Sequence, residues 1–207
     1  MNAISRPIVL TPDIEDARLT LPMQDLMARV LRDAQSHTLT QLMIVGVTRK
    51  VGASFITRQA ASQLSMAFGS VLVIEVSATA DEAEMLAGDI GRLRVPDHSA
   101  VQINLSTSSC LKLFGLGGST SHGSLSERLH EHFDLVLWDM PSPTFAPVAI
   151  VAAKSMNGII LVAQTNKTRH QAASYVSQRL QESGGKILGV VLNRTLNFIP
   201  GWLYRWL

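Results

Sequence analysis

The stretch Gly46-Val47-Thr48-Arg49-Lys50-Val51-Gly52-Ala53-Ser54-Phe55 brings together residue types that can hold a phosphate. Such a loop needs backbone N–H groups turned inward at the start of a helix and glycines that let the backbone approach the ligand. It also needs a lysine to neutralise the outer phosphates and a Ser or Thr hydroxyl for magnesium. Gly52 and Ser54 stand at the last glycine and at the magnesium-binding hydroxyl, Ala53 stands where the lysine belongs, and Lys50 replaces a glycine. Lys50, Gly52, Ala53, Ser54 and Phe55 are the candidate nucleotide contacts, and Lys50 or Arg49 has the length to reach back to a phosphate. The same residues also fit a polar turn with one glycine and a helix capped by Ser54.

A second chemical group closes the run Phe133-Asp134-Leu135-Val136-Leu137-Trp138-Asp139-Met140-Pro141. An apolar strand ending in an aspartate has the Walker B form, in which the carboxylate orients magnesium through a water. Asp139 is thus the first candidate catalytic residue and, with Ser54, the candidate metal pair; a buried strand ending in a capping aspartate is the plainer alternative. His130 and His132 have no carboxylate or cysteine at ligand spacing, so a metal site there is not expected. Gly115, Gly117 and Gly118, followed by Ser119 to Ser121, read as a flexible loop.

To bring these two loops together the chain needs parallel strands whose carboxyl ends lie side by side. Short runs rich in Val, Ile and Leu predict strands at 42–47, 71–76, 101–105, 134–139, 158–163 and 187–193. Helices are predicted at 22–35, 54–68, 124–132, 146–155 and 169–182, the last closed by Gly184 and Gly185. Strands alternating with helices give an α/β fold, a single doubly wound, mainly parallel sheet with helices on both faces. The division expected is an irregular leader over residues 1–20, one domain over 21–196 and an aromatic tail over 197–207.

Composition bounds the partners. With 46% hydrophobic and 16% charged residues among 207, the chain suits a sheet covered on both faces. A formal charge of +2 is too small for the basic field that nucleic acid requires. The single cysteine, Cys110, cannot form an internal disulfide and reads as an inert thiol, and no basic-then-apolar leader opens the chain, so a cytoplasmic location is expected. The apolar runs fall short of the roughly 20 residues that cross a bilayer.

Taken in order, the phosphate loop, the strand Val71-Leu72-Val73-Ile74-Glu75, the Asp139-Met140-Pro141 strand end and the run Gly189-Val190-Val191-Leu192-Asn193-Arg194 resemble the bacterial tyrosine autokinases of capsule and exopolysaccharide synthesis. These are the CpsD/CapB type within the MinD/ParA-like P-loop ATPases, and the resemblance covers about residues 22–194. It implies a P-loop NTPase-like fold and ATP or ADP with magnesium as cofactors. It also implies a role for Glu75 at the first of two aspartates after the second strand, and an adenine contact for Asn193, for which strand-end turn chemistry is an equal reading. The departures are as informative: Ala53 replaces the lysine, Glu75 and Ser77 replace the two aspartates, and the Glu-x-x-Arg-x-x-Arg oligomerisation pattern is reduced to Leu26, Arg29 and Arg32. Phosphoryl transfer rests on positioning and charge neutralisation, and losing one preorganised group slows it on the order of 10²-fold or more.

The function expected is therefore that of a degenerate kinase-like protein acting as a regulatory or assembly subunit. Its partner would be the cytoplasmic face of an inner-membrane polysaccharide co-polymerase or export protein, with a homo-oligomer still open. Two alternatives stand beside it: an active kinase or ATPase that uses Lys50, and a MinD/ParA-like positioning protein. The tail places Phe198, Ile199, Trp202, Leu203, Tyr204, Trp206 and Leu207 near Arg205, a composition suited to peripheral membrane contact, to a partner groove, or to covering the chain's own sheet edge.

Overall fold

Runs such as Leu42 to Val45 and Val71 to Ile74 are apolar at every position, so both of their faces must be covered. The computed structural model does this with a seven-stranded sheet between two layers; it describes residues 8–10, 26, 28, 30, 32, 39–78, 96–114, 129 and 131–193. In chain order the elements are β1 (Ile8–Leu10), β2 (Gln41–Gly46), α1 (Ala53–Phe68), β3 (Val71–Ser77), β4 (Ala100–Ser106) and α2 (Thr107–Leu113). Then follow β5 (Leu135–Met140), α3 (Val148–Ala152, continued by a 3₁₀ turn over Ala153–Ser155), β6 (Gly158–Gln164), α4 (His170–Glu182) and β7 (Ile187–Asn193).

The sheet order is β1-β4-β3-β5-β2-β6-β7. Its pairs are parallel, except that β1 runs antiparallel to β4, with Val9 opposite Val101. Alternation along each strand divides the core. Ile44, Val73 and Leu137 pack with Ile56, Ala60 and Leu64 of α1 and with Leu26 and Val30. On the opposite face Val45, Ile74 and Trp138 pack with Cys110, Phe114, Val148 and Ala152, and with Val176 and Leu180 of α4. Trp138 is fully buried, donates from its indole N–H to Gln41 and meets Phe114 edge to face at 5.1 Å.

The predicted strands and the helices at 54–68 and 169–182 stand within a residue or two. Gly184 has φ 86, the left-handed conformation of a C-terminal cap, and Gly185 N–H reaches back to Leu180 O at 2.9 Å. At 26, 28, 30 and 32 the described residues are helical, as the first predicted helix requires. Three differences are found. The leader, read as irregular, contributes β1, because a three-residue pairing is too short to leave a periodic signal. The helix expected at 146–155 is a five-residue α3 and a 3₁₀ turn, starting at Val148 after Pro147. Between β4 and β5 the sequence suggested no helix at 107–113, yet α2 forms there, with Ser106 Oγ accepting from Ser109 N–H as its N-cap. Leu129 is helical and buried; the rest of the helix expected at 124–132 is outside the described residues or, at 131–132, a turn. The loop at 115–121 and the tail at 197–207 also lie outside the described residues.

Candidate phosphate-binding cleft

From β2 the chain leaves through α1 on one face of the sheet, and from the neighbouring β5 it leaves through α3 on the other. The crevice between such strand ends is where ligands of doubly wound sheets bind. A cleft of about 490 Å³ opens there, and Lys50, Gly52, Ala53, Ser54, Phe55, Glu75 and Asp139 all line it, together with Arg49, Arg58 and Phe145.

The loop after β2 is held from beneath and from both sides. Val51 is buried among the α1-face residues, and Val47 N–H donates to Val162 O at 2.9 Å. Ser142, after β5, donates from its hydroxyl to Val47 O at 2.9 Å, tying the two chemistry-bearing loops together. Lys50 and Gly52 take left-handed backbone, φ 59 and 89. Gly52 is also the N-cap of α1, and no side chain caps that helix end. Ser54 is therefore not the cap that the plainer reading expected. A Cβ on Gly52 would run into the Asn193 side chain.

Asp139 lies on β5 in register with Ile44 of β2 and Glu75 of β3, on the α1 side of the sheet. It is 5% exposed. Burial pushes its pKa up to about 7; the Ser54 hydroxyl bonded to its carboxylate lowers it, nearby Glu75 raises it and Arg58 lowers it. Glu75 accepts from Gln102 Nε2 at 2.6 Å and pairs with Arg58 Nη1 at 3.5 Å. Asn193 is not among the lining residues: its amide donates to Val51 O at 2.8 Å and braces the loop.

The Ser54 hydroxyl and the Asp139 carboxylate, both lining the cleft, are hard oxygen donors of the kind magnesium takes. The phosphate side is altered, since Ala53 presents a methyl group at the lysine position. Arg49 stacks over the Phe145 ring at 4.4 Å. The residues therefore keep the oxygen donors of the metal side and lack the lysine of the phosphate side. Among the described residues no group of three His, Cys, Asp or Glu side chains that could hold a metal ion exists, and His130 lies outside the described residues.

Sequence reading missed Arg58, Gln102 and Ser142. Arg58 was detectable, because it follows Ser54 by four residues and so shares its helix face. Gln102 acts from a different strand, and nothing in its local sequence links it to Glu75. Cys110 is fully buried, and burial raises its pKa well above the ordinary thiol range, as an inert thiol requires.

No protein-family model matches the chain. Among curated proteins it is 28% identical over 68 residues to the tyrosine-protein kinase CpsD of Streptococcus agalactiae serotype III, a stretch covering 33% of this chain and 29% of that protein. The match thus spans less than a third of the relative's length. Among solved structures it superposes on the kinase domain of the Escherichia coli tyrosine kinase ETK with a TM-score of 0.66 at 20% identity, covering 86% of this chain and 78% of that one. It also superposes on cobyrinic acid a,c-diamide synthase of Mycobacterium smegmatis, solved with an ATP analogue and magnesium, with a TM-score of 0.55 at 13% identity, covering 76% and 75%. The fold is the P-loop NTPase-like fold, and the findings support the resemblance to bacterial tyrosine kinases that the motifs gave.

Proposed function

We propose, for a chain with the fold of the bacterial tyrosine-kinase domains and a stretch of sequence in common with CpsD, that it works as a kinase-like regulatory or assembly subunit of a polysaccharide synthesis or export complex. In this reading it does not transfer phosphoryl groups at a useful rate. The observation that carries the reading is Ala53 at the mouth of α1, lining the cleft where the kinase pattern puts its lysine.

Two further features point the same way. The carboxylate of Glu75, at the first acidic position, is held by Gln102 and Arg58, so it is a poor acceptor for a substrate proton. The retained Ser54, Asp139 and braced loop keep the shape of a nucleotide site without its principal cation. Location at the cytoplasmic face of an inner-membrane partner belongs to the same proposal. No helix among the described residues is long and apolar enough to cross a membrane.

Calorimetric titration of ADP and ATP with magnesium into the purified chain tests the reading, with Ala53→Lys as the repaired control. The expected result is binding at least tenfold tighter in Ala53→Lys than in the unaltered chain. Equal tight binding by both would mean that residue 53 is not the lost element, and would return the active alternative built on Lys50.

A further inference from the structure

We infer that Arg58 supplies to this cleft the positive charge that residue 53 lacks, and that the cleft takes a diphosphate-bearing ligand without requiring magnesium. The inference rests on the preceding reading of the cleft as a kinase site that has lost its lysine, and it goes further by naming the substitute cation and the class of ligand.

Position is the first argument. Arg58 lies one helical turn beyond Ser54, on the same face of α1, and both line the cleft above Glu75 and Asp139. A residue there approaches the crevice from the helix, whereas Lys50 approaches from the loop and Arg49 is stacked on Phe145.

Charge is the second. The side chains lining the cleft include three cations, Arg49, Lys50 and Arg58, against two carboxylates, Glu75 and Asp139. The formal sum is positive before any metal enters. A metal ion at Ser54 and Asp139 would enter a cleft that is already positive, whereas an anion meets a cleft of opposite sign.

Availability is the third. Of the five N–H donors of a guanidinium, Arg58 uses one in its pairing with Glu75, at 3.5 Å, and its side chain is 43% exposed. A phosphate can take the remaining donors in the two-point geometry that arginine offers and lysine does not. If Arg58 then leaves Glu75, that carboxylate keeps its 2.6 Å hydrogen bond from Gln102 and its side chain is 30% exposed, so turning toward a ligand does not leave it without a polar partner. Gln102, itself buried, thus acts as a holder that lets the arginine move.

The test is titration of pyrophosphate and of ADP into the full chain, once with EDTA and once with magnesium. Binding of both probes in EDTA is expected, reduced at least tenfold in Arg58→Gln and partly restored in Arg58→Lys, with melting temperatures confirming that each variant folds. Glu75→Gln supplies an arm of opposite sign: releasing Arg58 from its competitor should tighten pyrophosphate binding. Absence of binding in EDTA, unchanged affinity in Arg58→Gln, or a loss confined to Lys50→Ala would overturn the inference. Any of these results leaves the non-catalytic reading standing, since that reading is tested by the Ala53→Lys titration and by phosphoryl transfer, which are separate measurements.

Discussion

Asp139 and Gly52 carry the sharpest consequences for single residues. The carboxyl of Asp139 has an ordinary value of 3.8 and is pushed by burial to about 7 in the fold. The folded chain therefore holds a proton that the unfolded chain releases between these values. The stabilisation is fully present below about pH 4 and is lost as pH rises through about 7. Asp139→Asn should leave the melting temperature near that of the parent at pH 4 and raise it at pH 8, by on the order of 1–4 kcal/mol of stability. Thermal melts across pH 4–8 check this, and a parallel pair of curves would contradict it. Gly52→Ala places a methyl group on left-handed backbone and against Asn193. It should cost about 1–3 kcal/mol in chemical denaturation, with only part of that loss relieved when combined with Asn193→Ala. The candidate site was legible at this scale where function leaves a local pattern: the glycine and serine that open α1, and the aspartate that closes an apolar strand. Arg58 and Gln102 were not, because their link to Glu75 is made by the helix turn and the strand pairing, which no window of sequence contains.

The elements were legible in proportion to how completely they are buried. Strands β2, β3, β5 and β6 are central and apolar on both faces, and their composition alone located them. At the edges the signal fades, because pairing there depends on what lies alongside: β1 is three residues long, and Ile8 and Val9 are more than half exposed. Its one-sided pairing covers the backbone edge of β4, an edge that would otherwise be open to other chains. Deleting residues 1–10 should therefore lower the melting temperature by several degrees and increase aggregation on heating, measured by light scattering; an unchanged melt and scattering profile would show that β1 is dispensable. The loops after β2 and β5 are likewise joined by one buried contact, from the Ser142 hydroxyl to Val47 O. Ser142→Ala should cost about 1–2 kcal/mol and loosen the cleft, read as faster amide exchange at residues 47–52.

At the scale of the whole molecule, the parallel sheet sets two connections diverging from β2 and β5 and so creates the cleft whatever residues line it. A fold can thus persist while its chemistry changes, and function has to be argued from the lining. Here the lining keeps Ser54 and Asp139, lacks the lysine, and sets Arg58 against Glu75. The fold class followed from the order of strands and helices alone. Partner and assembly did not, because surfaces that meet another protein carry no periodicity of their own. The most direct test of the account is transfer of labelled γ-phosphate from ATP to tyrosine on the full chain, which has two tyrosines, Tyr175 and Tyr204. The account predicts labelling no greater than that of Asp139→Asn under the same conditions. Robust tyrosine labelling by the unaltered chain, abolished in Asp139→Asn, would contradict it and make this protein a working kinase with an unusual loop.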